Sequence, residues 1–66
     1  MLTPIVAALN DFNQKGSAVI VETEGVDPRE IAEYVIMVLD GLKCSYDHYY
    51  NDVEHSYFIE DRMTDN

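Results

Sequence analysis

A chain of 66 residues with a single cysteine has to hold its fold by packing alone. At this size a domain buries only about 60% of the surface its unfolded chain exposes, so the core is marginal. Folds this small usually lean on disulfides, a structural metal, a second subunit or very tight packing. Cys44 has no second cysteine to pair with, and no Cys and His cluster has zinc-ligand spacing. Self-association is the simplest aid that remains.

Apolar residues make up 47% of the chain, which separates it from disordered acidic tails. Thirteen carboxylates against four basic side chains give a formal charge of −9, so a folded surface must carry that charge. Along the chain the charge is even, with no acidic tail and no basic patch. Direct nucleic-acid binding and attachment to an anionic membrane are therefore not expected. The partner that suits such a surface is a basic protein surface. Met1 to Leu9 is apolar but lacks a basic n-region and is broken by Pro4, so it does not read as a secretory signal. One free thiol and no membrane-length apolar stretch make the cytoplasm the expected compartment.

Thr3-Pro4 reads as N-cap and first helical position, followed by the stripe Ile5, Ala8, Leu9 and Phe12, with Gly16 as the stop. Ser17 to Thr23 predicts a strand, whose short apolar, β-branched run Ala18 to Val21 is expected buried on both faces at its start, with Glu22 and Glu24 at its exit. Asp27-Pro28-Arg29-Glu30 is the strongest local signal. Asp27 caps a helix, Pro28 opens it, and Glu30 is placed to reach back as in a capping box. The helix should run to about Leu42, ending near Gly41, with the core stripe Ile31, Tyr34, Val35, Val38, Leu39 and Leu42. The tyrosine-rich segment that follows predicts a hairpin, with strands over about 45–50 and 56–61. The fold class is α+β, one small domain over 1–62 in the order α-β-α-β-β. Two helices should cover one face of a three-stranded sheet, and 63–66 should fray.

No catalytic or cofactor motif is present. His48 and His55 with Asp47, Asp52 and Glu54 nearby offer metal-ligand chemistry without a ligand spacing, and two hairpin surface residues are the simpler reading. Cys44 lacks a placed cation to activate it. The expected protein is thus neither an enzyme nor a metal or cofactor protein. Candidate partner-binding acids are Glu22, Glu24, Glu30, Glu33, Asp40, Asp47, Asp52 and Glu54. On a strand Glu22 and Glu24 would lie about 6.5–7 Å apart, and on a helix Glu30 and Glu33 about 5–6 Å, close to phosphate spacing. Tyr46, Tyr49 and Tyr50 are the aromatic anchors, with Tyr46 and Tyr50 on one strand face and Tyr49 on the other. Ile36 and Met37 extend the apolar arc of the second helix and mark a self-association surface, with an open sheet edge as the other route to a homodimer.

In size and charge the chain resembles the small acidic proteins with which phages and other mobile elements block host nucleic-acid enzymes. The resemblance is one of profile. It rests on no motif and transfers no residue. It implies an inhibitor or modulator, in its sharpest form a nucleic-acid mimic. The alternative is a homodimeric structural or regulatory module with no nucleic-acid-related target.

Overall fold

Asp27 begins the second helix as its sequence implies. Its extended backbone places the side chain to accept from the Arg29 N–H at 2.8 Å, and Pro28 follows at the first helical position. The expected reach of Glu30 back to the Asp27 N–H is not formed; instead the Arg29 guanidinium donates to the Asp27 carboxylate at 2.8 and 3.0 Å. The computed structural model describes residues 2–62, so the expected fraying of 63–66 lies outside the described residues. In order come α1 (Leu2–Lys15), β1 (Ser17–Val21), α2 (Pro28–Gly41), β2 (Tyr46–Asn51) and β3 (Ser56–Asp61). The fold is α+β, as the pattern of the chain predicts.

The start of α1 differs from its sequence reading, whereas α2 ends at Gly41 as read. Helix α1 already begins at Leu2, which puts Thr3 and Pro4 inside its first turn. Proline is still tolerated there, because the first four N–H groups have no helical acceptor. At the other end of α2, Gly41 is the last helical residue, and the left-handed stop falls on Lys43 at φ +60°. Lys43 N–H donates to Asp40 C=O and Cys44 N–H to Leu39 C=O, both at 3.0 Å, which is the Schellman pattern with lysine where glycine is usual.

The sheet has the order β1-β3-β2, and both neighbouring pairs are antiparallel. Strands β1 and β2 therefore run parallel with β3 inserted between them, and α2 crosses over β3 to join them. Ala18 and Ile20 of β1 and Ile59 of β3 face the helices. They close the core with Ala8 of α1 and with Ile31, Ala32, Val35 and Leu39 of α2. Burial along β1 alternates strictly, so the expectation of a strand buried on both faces is corrected. With helices on one side only, Val19 and Val21 stay half exposed on the other.

The buried arc of α2 is also rotated from the expected stripe. Ile31, Val35 and Leu39 are buried, but Ala32 joins them, while Tyr34, Val38 and Leu42 are exposed. Centring on the smallest side chain turns Tyr34, Val38 and Leu42 outward. It also brings Ile36, which packs partly buried against the core, to the inner flank.

Candidate partner-binding surfaces

The hairpin fixes where its aromatic side chains go. Strand alternation places Tyr46, His48 and Tyr50 on the helix-facing side of β2, opposite Asp61, Ile59 and Tyr57 of β3. Each is tied down. Tyr46 Oη donates to Asp40 Oδ1 at 2.6 Å, and this bond, with burial adding to it, raises the phenol above its ordinary pKa of 10.0. His48 Nδ1 and Tyr57 Oη lie 2.6 Å apart with their rings stacked, and burial raises Tyr57 as well. Tyr50 pairs with His55 at 3.2 Å and carries the Arg29 guanidinium over its ring, 4.5 Å from the centroid. Arg29 and Asp40 stand near the two ends of one flank of α2, so the two end tyrosines of this row link β2 to that flank.

Tyr49 alone of the three expected anchors points to the uncovered face, as alternation predicts. It stacks flat on Phe58, with centroids 4.9 Å apart and planes 6° from parallel. Across the sheet the pairing runs Tyr49, Phe58, Val19, an uncharged row over all three strands. Sequence alone assigns Val19 and Val21 to a buried strand and gives neither them nor Phe58 a binding role. Strict period-2 burial in Ser17–Val21 would have found the two valines, but a run of consecutive apolar residues hides it.

All eight acidic candidates are exposed, but they are not dispersed as they are along the chain. The terminal cross-strand row is Val21, Ser56, Asn51. Beyond it lie the β1–α2 turn, the hairpin loop and the start of α2. Glu22, Glu24, Asp27, Glu30, Asp52 and Glu54 therefore gather at one end of the molecule. Among the described residues the only Lys or Arg there is Arg29, bound to Asp27 at 2.8 Å, with His55 of the hairpin loop close by on Tyr50. Asp27, read from sequence only as a cap, belongs to this acidic end, where Arg29 holds its carboxyl down at about 2. Asp40 and Asp47 sit toward the other end, Asp47 paired with Arg62 at 2.8 Å, and Glu33 lies a turn further along α2. Glu22 and Glu24 do not share a strand face. Residues 23–26 form a two-residue turn, with Thr23 bridged to Val26 and both Glu24 and Gly25 at positive φ, +54° and +78°.

Ile36 and Met37 separate. Ile36 packs against the core, and Met37 is 63% exposed. His48 and His55 face different tyrosines, and among the described residues no three His, Cys, Asp or Glu side chains converge as metal ligands. No helix among the described residues is long and apolar enough to cross a membrane. Compared with protein-family models, with curated proteins and with solved structures, the chain shows no significant match to any.

Proposed function

We propose that the protein is a non-enzymatic acidic binding module that inhibits or modulates its partner by docking its acidic end on a basic surface. A nucleic-acid-binding groove is the surface this charge suits best. The observation that carries the reading is the gathering of Glu22, Glu24, Glu30, Asp52 and Glu54 around Arg29, whose charge is already taken by Asp27. Like charges brought together on a small domain oppose folding but raise the rate and selectivity of association with an oppositely charged site. Glu24 adds to this. It holds a left-handed conformation that costs a β-carbon-bearing residue about 1–2 kcal/mol, at a turn position that favours Asn or Gly. A carboxylate is kept there against local backbone preference, which fits a role outside the fold. Tyr49 stacked on Phe58 offers an apolar anchor on the uncovered sheet face.

The test is capture from nuclease-treated bacterial lysate with the unaltered chain and with a Glu22→Gln, Glu24→Gln, Asp52→Asn, Glu54→Gln variant. The reading expects a specific protein held at about 50 mM salt, released by about 500 mM, and not held by the variant. Displacement of the chain from that protein by DNA or RNA would identify the mimic form. Prey held equally by both chains, at either salt, would overturn the reading.

A further inference from the structure

Among the described residues three surfaces beyond the acidic end have no partner: the uncovered sheet face, the free edge of β1, and a groove between α1 and α2 near Phe12, Val38 and Leu42. The groove holds about 290 Å³, but nothing specifies its occupant. The edge of β1 does specify one. We infer that β1 pairs with β1 of a second copy, antiparallel about a two-fold axis at Val19, to make a continuous six-stranded sheet.

The phase of the backbone supports this. Asp61 N–H donates to Gly16 C=O at 2.7 Å, in register with the β1–β3 pairing. Bonds in an antiparallel ladder recur at every second residue. Ala18 and Ile20 therefore turn their backbone groups toward β3, and Ser17, Val19 and Val21 turn theirs to the free edge. A two-fold axis at Val19 sets Ser17 opposite Val21 of the copy and Val19 opposite itself, so each outward residue meets another outward residue.

Edge strands are normally guarded by charge, proline or a bulge. The other edge, β2, is guarded. It carries Asp47, and its outward Tyr46 carbonyl is taken by the Arg62 guanidinium at 2.9 Å. Strand β1 is Ser-Ala-Val-Ile-Val, without a charge or a proline, in a chain of charge −9. The side chains match as well. The row Tyr49, Phe58, Val19 ends at this edge, and the two-fold axis continues it into Val19, Phe58 and Tyr49 of the copy. Past the strand ends, Glu22 falls opposite Gly16 of the copy, next to its Lys15. The ion pairs among the described residues use Arg29 and Arg62, which leaves Lys15 and Lys43, and of these Lys15 lies at this contact.

The test combines light scattering with amide hydrogen exchange over a concentration series of the unaltered chain. The expected result is a mass that doubles with concentration, with Val19 and Val21 amides gaining protection over the same range. Salt should strengthen this dimer, because it screens repulsion between two −9 chains, whereas it should weaken docking on a basic partner. The two proposals can therefore fail separately. Val19→Lys sets like charges opposite each other and should weaken the dimer at least ~10-fold, while Met37→Glu leaves it unchanged. If Val19→Lys does not fold, the exchange pattern of the unaltered chain decides. A monomer up to about 1 mM would overturn the proposal. So would a dimer whose Val19 and Val21 amides exchange freely, or one lost in Leu42→Glu and kept in Val19→Lys. Protection of these amides only in a complex with another protein would mean that the edge takes a foreign strand, and would also overturn self-pairing.

Discussion

Single residues in this chain act mainly through the backbone, and its glycines separate by sign. Gly16 sits at φ +79°, and a β-carbon there would meet only Asp61 Cβ at an ordinary 3.8 Å. Gly16→Ala should therefore lose about 1 kcal/mol through backbone conformation alone. Gly41 is helical, with open space around it. Gly41→Ala should gain about 0.5–1 kcal/mol, because it restricts the unfolded chain at a position alanine adopts freely. Denaturant titration of the two variants gives both signs. Asp27 is the third case. Hydrogen bonds from the Arg29 side chain and then its backbone N–H lower the carboxyl from 3.8 to about 2 in the folded state. A depressed carboxyl contributes its stability above the unfolded value and loses it as pH falls through the folded one. Asp27→Ala should lower Tm by about 5 °C at pH 7, and the gap should close between about pH 4 and pH 2 in a melting series.

Among elements, α2 shows how a helix face is chosen. Its apolar residues cover more arc than one contact needs, and packing on Ala32 selects which of them are buried. Ile36 goes inward and Met37 outward, although they are neighbours in sequence and both look like contact residues. Ile36→Ala should cost about 1–2 kcal/mol, less than a fully buried isoleucine would. Met37→Glu should stay within about 0.5 kcal/mol of the parent. Urea unfolding of both checks the split, and equal losses would mean that the helix is rotated differently. The hairpin was legible for the opposite reason. Period-2 geometry fixes that Tyr49 opposes Tyr46 and Tyr50 whatever the register, but the pairing of Tyr46 with Asp40 and of Tyr50 with Arg29 required α2 to be placed above it.

At the scale of the whole molecule, charge and edges dominate. The chain brings six carboxylates to one end around a single arginine, and leaves an uncharged strand at a sheet edge. Salt is expected to act on these two features with opposite sign. Local sequence determined much of the fold: the Asp27-Pro28 cap, the left-handed turn at Gly16, the element order and the opposite faces of the hairpin tyrosines. These depend on hydrogen bonds and side-chain periods within a few residues. Only the tertiary structure decided that β3 lies between β1 and β2, that α2 buries Ala32 rather than Leu42, and that acids spread evenly along the chain converge in space. Those outcomes depend on contacts between residues far apart in sequence, where the surface left to bury, rather than local preference, sets the lowest free energy.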